Sequence, residues 1–387
     1  MVDPALAAAL VASAREHGDP PDEVDAVVNA GRVGSLLQLA RYHRMLPFVH
    51  RDLRRLPGVD ARTLQALDRH EVTQTANQMR IVTDLAGLAA SLAPLEIPWI
   101  TFKGPVAAQL LYGRPELRTY RDLDVLVARS DFRRTVEFLE RSGVEVVDRN
   151  WTLISREHRG QLHATLALGT VVDLHWHLLN RGVVRDAFTV DIDAVVDRAR
   201  AVSISGVDVR TPDPADTLVH LGLHAALAGG DRLIWLKDLE RAIAVDRPDW
   251  DEVVERALAW HAGAALAVML RRAATVLDAR VPVWVMHDLD PWATRRRVGE
   301  AIDRRWTAGA ATGDPTPAWL WPQVIRDGRF ATIGSILRRS VRRPVSALHQ
   351  MLGEPGGGGR EHEPAAVLHP SGGEELRARY LNELDGD

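Results

Sequence analysis

The chain has 387 residues, more than one ordinary domain needs, so we expect two or three compact units. Its 48 basic and 52 acidic residues give a net charge of −4, which argues against a protein that grips long nucleic acid. It contains no cysteine, which excludes disulfides, thiolate metal sites and cysteine nucleophiles.

The N-terminal part of the sequence has a helical pattern over residues 1–93. It opens on an Ala-rich segment in which Asp3 and Pro4 are the predicted N-cap and first residue of a helix, and it lacks the basic start of a signal peptide. The segment from Thr63 to Leu92 predicts one long amphipathic helix. No apolar run approaches the roughly 18 residues of a membrane span. We therefore expect a cytoplasmic protein.

Residues 94–211 predict a mixed α/β region. Runs rich in β-branched and aromatic residues predict strands in IPWITF, DLDVLV and VEVVD, and the helices between them are predicted to end at Gly113 and Gly143. Ser130 is the predicted N-cap of the second of these helices. Two further strands are predicted to meet at a turn on Gly169, and AVSISGVDVRT predicts a closing hairpin.

The remainder of the sequence is predicted to be helical over residues 212–352 and to continue as a flexible linker and tail over residues 353–387. Within that tail, EELRARYLNEL is compatible with a short docking helix or with a disordered end, and both remain open. The predicted fold class is α+β, with a small mixed sheet flanked by helical regions on both sides.

Two acids lie inside one of the predicted strands, in the stretch LRTYRDLDVLVARSD. Side chains alternate along a strand, so Asp122 and Asp124 point to the same face, where their charges repel unless one is protonated or a cation neutralises both. In one interpretation Asp122 caps the turn, and Asp124 pairs with one of the nearby arginines, which are Arg114, Arg118, Arg121 and Arg129. The other gives them a divalent metal ion.

Two neighbouring motifs favour the metal. Lys103 and Gly104 lie at a predicted strand-to-helix junction, where free backbone N–H groups and the helix dipole favour phosphate. Asp173 adds a third acid in the apolar stretch TVVDLHWHL. Three carboxylates and a phosphate-binding turn are the parts of a phosphoryl-transfer site that uses magnesium. His175 shares the face of Asp173, as a supporting partner, an acceptor-side base or a structural strand residue.

The order of KG, then Y, R and DLDVLV, then VDLHWHL resembles the uncharacterised nucleotidyltransferase family of the DNA polymerase β-like superfamily. The flanking stretches ARYHRMLPFVHRDL, DPADTLVHLGLHAAL and RLIWLKDLERAI are similar to the helices of that family, so the resemblance covers roughly residues 40–243. It implies a minimal nucleotidyltransferase fold.

The resemblance also implies roles for individual residues. Asp122 and Asp124 would hold Mg²⁺, with Mn²⁺ as an alternative, and Asp173 would share the second ion and help to activate the acceptor. Gly104 and the backbone after it would cradle phosphate, and Arg118 would face the leaving pyrophosphate. Independently of the family, Lys237 is predicted either to reach the triphosphate or to form a solvated pair with Glu240.

The sequence departs from the superfamily pattern at two positions. Pro105 follows Gly104 where a serine is usual, so phosphate binding must depend more on the backbone, Lys103 and arginine. Arg121 precedes the acid pair where a small residue is commoner. It would either add a phosphate contact or neutralise Asp122 and block the metal.

The function predicted from these features is a Mg²⁺-dependent transfer of an NMP group from an NTP such as ATP to a small molecule or peptide. A long nucleic acid is not an expected partner, and no membrane span is expected. Two alternatives remain: transfer of another diphosphate-activated group, such as a sugar from a nucleotide sugar, and a degenerate relative that only binds a nucleotide or a partner protein.

Overall fold

The computed structural model describes residues 3–15, 18–290, 297 and 367–385. These residues divide into two compact units, of which the first comprises the described residues within 1–56, 221–240 and 250–362 and the second comprises those within 57–220, 241–249 and 363–387. The domain boundaries expected from the sequence stay a prediction. The helix predicted from residue 291 onward and the linker predicted over residues 353–366 fall outside the described residues, apart from Arg297. Within the described part, no helix has the length and apolar character to span a membrane.

Helices make up most of the described chain, and the strands are confined to its middle. In chain order the elements are α1 (Pro4–Ala14), α2 (Asp22–Asn29), α3 (Val33–Tyr42), α4 (Leu46–Leu53), α5 (Ala61–Leu92), β1 (Trp99–Phe102), α6 (Gly104–Tyr112), β2 (Asp122–Val127), α7 (Arg129–Arg141), β3 (Glu145–Val146), α8 (Trp151–Glu157), β4 (Gln161–Thr165), β5 (Val171–His175), α9 (Gly182–Arg185), α10 (Ile192–Asp197), β6 (Arg200–Ile204), β7 (Val207–Thr211), α11 (Pro214–Leu227), α12 (Leu233–Arg241), α13 (Trp250–Ala259), α14 (Gly263–Leu277), α15 (Val283–Leu289) and α16 (Glu374–Asp385). The α+β fold class is confirmed, with a mixed sheet among many helices.

Local capping explains where several helices begin. The Asp3 side chain accepts a hydrogen bond from the backbone N–H of Ala5 at 2.8 Å, as predicted for an N-cap. The prediction of Ser130 as the N-cap of α7 is wrong. The chain leaves β2 directly into the helix, so Ala128, in an extended conformation, occupies the cap position and Ser130 lies inside the first turn.

The second unit is built on a five-stranded mixed sheet with strand order β1-β2-β5-β4-β3. β2 and β5 are parallel, whereas the other neighbouring strands are antiparallel. On one face of the sheet, alternate apolar residues enter the core, among them Leu123 and Val125 of β2 and Val172 and Leu174 of β5. The opposite face is therefore left to the acids of the same two strands.

Helices cover the apolar face of this sheet. α5 contributes Leu85 and Leu88 to the core, and α7 contributes Phe132. The segment EELRARYLNEL, for which the sequence left two outcomes open, forms the helix α16, and its residues Tyr380 and Leu384 join the same core. The second unit thus closes its core with a segment that is remote from the sheet in the sequence.

The turn between β4 and β5 is held by a buried carboxylate on α5. Asp84 accepts hydrogen bonds from the backbone N–H groups of Leu168 and Thr170 at 3.0 and 3.1 Å. The sequence predicted a turn at Gly169, and this residue adopts a positive φ of 84° in the turn. These contacts fix the start of β5, and with it the position of Asp173 along the sheet.

Candidate active site

The predicted site residues of the two central strands lie together on one face of the sheet. Asp122 and Asp124 lie on β2, and Asp173 and His175 lie on the adjacent strand β5. Because β2 and β5 pair in parallel with Asp124 opposite Asp173, the two acids are direct neighbours across the sheet. The structure thus brings together the acid pair, the third acid and the histidine that the sequence singled out.

Asp124 is the most enclosed of the three acids, with 7% of its surface exposed. Its Oδ1 atom lies 3.2 Å from Nε2 of His175 and 3.9 Å from Nζ of Lys103. Its backbone carbonyl accepts a hydrogen bond of 2.9 Å from the Thr101 hydroxyl on β1. The carboxylate thus has a histidine ring and an ammonium group beside it, and the acid Asp173 as its neighbour across the sheet.

Asp173 has a raised pKa of about 6. Burial is the first cause, and the negative charge of Asp124 is the second, whereas the nearby rings of His163 and His175 act in the opposite direction. The Oδ1 atom of Asp173 lies 3.7 Å from Nε2 of His163, and its Oδ2 atom lies 3.4 Å from the amide nitrogen of Gln161. Two acids in such an arrangement accommodate a cation readily.

The donor set fits a divalent metal ion. One ligand atom from each of Asp124, Asp173 and His175 lies within 4.8 Å of the others. Asp122 begins the same strand on the same face but is not a member of this cluster. Nδ1 of His175 is buried without a hydrogen-bond partner among the described residues. Carboxylate oxygens suit Mg²⁺ and Mn²⁺, and an imidazole nitrogen is tolerated best by Mn²⁺ and later metals.

The predicted phosphate-binding turn lies beside the start of β2. Lys103 has a φ of 55°, and Gly104, the first residue of α6, has a φ of 27°. A Cβ atom on Gly104 would lie 3.2 Å from the backbone oxygen of Asp122, so a side chain there would crowd the strand. Arg118 donates a hydrogen bond of 3.3 Å to the Gly104 carbonyl, which holds its guanidinium next to the turn.

Arg121 and Lys237 lie in different settings. Arg121 is exposed, and no ion pair joins it to either acid of β2 within the described part of the chain. The blocking role considered for Arg121 therefore has no contact to support it.

Lys237 belongs to the first unit, where its ammonium lies 2.6 Å from Glu240. Lys237 is buried and Glu240 is half-buried, unlike the solvated pair that was one of the two alternatives, and burial lowers the pKa of Lys237.

The sequence reasoning missed three polar residues beside Asp173: Gln161 and His163 on β4, and Asp148 just after β3. Burial alone would lower the pKa of His163, but the hydrogen bond and the charge of Asp148 raise it. The stretch LHAT was predicted to be part of a strand that does not include Gln161, and the alternation of polar and apolar residues in QLHAT was the available signal. The polar face of β4 lies next to Asp173, and its side chains contact that acid.

A family model and two solved structures are similar to this chain. The model of a family described as uncharacterised nucleotidyltransferase matches residues 29–278. A search of curated proteins found no match. Among solved structures, the chain is similar to an antigenic nucleotidyltransferase-like protein from Paracoccidioides brasiliensis, with 19% identity, a TM-score of 0.37, and coverage of 54% of this chain and 96% of the other.

A second solved structure is that of the antibiotic-resistance factor ANT(2'')-Ia, with 15% identity, a TM-score of 0.32, and coverage of 48% of this chain and 91% of the other. The family match is the broader finding, since it spans more than half of the 387 residues and includes the whole five-stranded sheet. The chain belongs to the uncharacterised nucleotidyltransferase family and is a nucleotidyltransferase.

Proposed function

We propose that this protein transfers an NMP group from an NTP such as ATP, with Mg²⁺, to a hydroxyl, phosphate or amine of a small molecule or peptide. The observation that carries the proposal is the direct pairing of Asp124 with Asp173 on adjacent parallel strands, with His175 beside them. Two neighbouring carboxylates, of which Asp124 is buried and Asp173 is half-buried, repel each other, and a divalent cation relieves that repulsion.

The residues that would hold the metal are Asp124 and Asp173, with Asp122 joining from the start of β2. When bound, Mg²⁺ or Mn²⁺ would neutralise charge on the triphosphate and favour ionisation of the acceptor. His175 supports this arrangement from behind: a neutral ring with its proton on Nε2 donates to Asp124 at 3.2 Å. Because Nδ1 has no partner in the described part of the chain, that tautomer leaves only an acceptor unsatisfied.

Donor phosphates would bind at the turn before α6. Lys103 and the backbone N–H groups near Gly104 present positive charge there, and the start of a nine-residue helix adds its dipole. Pro105 removes one donor, so the guanidinium of Arg118, beside the turn, would supply the missing contact to the leaving pyrophosphate. Exposed Arg121 would add a further phosphate contact.

Asp173 is the proposed group that accepts the proton of the acceptor. In the metal-free site burial and the charge of Asp124 raise its pKa to about 6, so it is ionised at neutral pH and free to accept a proton. The acceptor oxygen or nitrogen would then attack the α-phosphorus in line with the departing pyrophosphate. The role predicted for Lys237 in the first unit has the weakest support, because its ammonium already binds Glu240.

Thermal unfolding with each NTP tests the donor and its metal dependence. A ligand at 100 times its Kd adds about 2.7 kcal/mol to the free energy of unfolding, which raises the midpoint by several degrees. The proposal expects a Mg²⁺-dependent rise with an NTP in the wild type and no rise in the Asp122→Asn/Asp124→Asn variant. A rise with a nucleotide sugar alone would favour sugar transfer. No rise with any nucleotide would favour a protein that binds only a partner.

A further inference from the structure

Strand β4 presents a polar face to the candidate active site. It pairs with β5 in an antiparallel ladder in which His163 lies opposite Asp173 and Gln161 lies opposite His175. The residues that alternate with them along β4, Leu162 and Ala164, enter the core on the other side of the sheet. The polar alternation of β4 is thus directed at the residue that we propose to be the acceptor-side base.

The ring of His163 is fixed from behind by Asp148. The Asp148 carboxylate is 1% exposed and accepts a bond of 2.9 Å from the backbone N–H of His163 and another of 2.9 Å from its Nδ1. A carboxylate only accepts, so Nδ1 must carry a hydrogen. This double contact fixes both the rotamer of the ring and its tautomer, and it turns Nε2 toward the site.

An N–H donor faces Asp173 from β4 in either state of His163. The amide nitrogen of Gln161 lies 3.2 Å from Nε2 of His163 and 3.4 Å from Oδ2 of Asp173. If Nε2 is bare, the amide can donate one hydrogen to it and direct the other at Asp173. If Nε2 also carries a hydrogen, the ring is a cation whose Nε2 lies 3.7 Å from Oδ1 of Asp173, which is an ion-pair distance.

We infer that Asp148, His163 and Gln161 form a positioning relay that fixes the orientation of the Asp173 carboxylate between β2 and β4, so that it is oriented for the metal before the metal arrives. The inference rests on the proposed function. Without the relay, the carboxylate of Asp173 would rotate more freely, and each binding event would have to reorient it. Because the contacts of a relay form one chain, loss of Asp148 should weaken metal binding as much as loss of His163.

The test is Mn²⁺ binding to the full chain, measured from the electron paramagnetic resonance signal of free Mn²⁺. Removal of a hydrogen-bond partner behind a metal ligand typically weakens metal affinity about 10- to 100-fold. We expect Asp148→Asn and His163→Ala each to weaken Mn²⁺ binding about 10-fold, the double variant to be no weaker than either single variant, and added imidazole to restore affinity to His163→Ala. The side chain of His163 is 20% exposed, which gives imidazole access.

Thr165→Val is the matched control, since Thr165 lies on the same face of the same strand but opposite Val171. If Asp124→Asn abolishes Mn²⁺ binding while Asp148→Asn and His163→Ala bind it as the wild type does, the relay is refuted and the metal site stands. If the wild type binds no Mn²⁺, both the site and the relay are refuted. Thermal unfolding of each variant confirms folding, and His163→Ala carries the test alone if Asp148→Asn does not fold.

Discussion

Replacement of Asp173 by asparagine is expected to stabilise the metal-free protein at neutral pH. The folded state raises the pKa of this carboxyl from 3.8 to about 6, through burial and the charge of Asp124. One pKa unit corresponds to about 1.4 kcal/mol, so a shift of this size disfavours the charged side chain by up to about 3 kcal/mol. Asparagine has nearly the same shape, cannot ionise, and can donate its amide N–H to Asp124.

The stability difference between Asp173→Asn and the wild type should depend on pH. An unfolded aspartate loses its proton near pH 4, whereas the folded Asp173 keeps it up to about pH 6. The folded state therefore binds more protons in that window, and the stability of the wild type falls as pH rises through it. The advantage of Asp173→Asn should be absent below about pH 4, grow up to about pH 6 and remain constant above it.

The assay is thermal unfolding in EDTA at pH 4, 6 and 8, repeated at pH 8 with Mg²⁺. In EDTA at pH 8 the midpoint of Asp173→Asn should exceed that of the wild type by about 2–4 °C for each kcal/mol, and Mg²⁺ should reduce or reverse the difference. Asp84→Asn is the control: it removes a buried carboxylate that accepts two backbone N–H groups, so it should destabilise by about 1–3 kcal/mol with or without metal. If Asp173→Asn behaved like Asp84→Asn, Asp173 would be a structural acid and the reasoning would be refuted.

Three further variants test the surroundings of the site. Gly104→Ala places a Cβ atom 3.2 Å from the Asp122 carbonyl at a φ of 27°, so it should lower the free energy of unfolding by about 1–3 kcal/mol in denaturation experiments and weaken NTP binding. Lys103→Met removes the ammonium 3.9 Å from Asp124, so Mn²⁺ titration should show tighter metal binding while calorimetry shows weaker NTP binding. Tyr380→Phe should cost only about 1 kcal/mol in thermal unfolding, because the Trp176 Nε1 that donates to the Tyr380 hydroxyl at 2.9 Å also donates to the Arg159 carbonyl at 3.1 Å.

Much of the second unit was predictable because its strands carry strong local signals. The period of two in DLDVLV and VVDLH placed the acids on one face, and glycines marked the turns at Gly113 and Gly169. The position of Asp173 opposite Asp124 was not derivable from spacing, since strand order is a long-range property. It followed from the family resemblance, and the parallel pairing of β2 with β5 confirms the juxtaposition.

What the sequence did not predict depends on contacts between distant segments. The helix α16 packs on the core of the second unit through Tyr380, although its sequence pattern alone left a disordered tail open. The pairing of Asp148 with His163 joins the end of β3 to β4, and neither residue belongs to a motif. The misassigned cap at Ser130 has a local cause, because the strand runs into the helix without the loop that a side-chain cap requires.

The central claim is nucleotidyl transfer at the metal site of Asp124 and Asp173. In the most direct measurement, the protein is incubated with Mg²⁺, an extract of small molecules as acceptors, and an NTP labelled at either the α- or the γ-phosphate. The account predicts a Mg²⁺-dependent product that carries the α label and not the γ label, and that Asp124→Asn does not form. A product that carries the γ label, or an α-labelled product that Asp124→Asn forms as fast as the wild type, would contradict it.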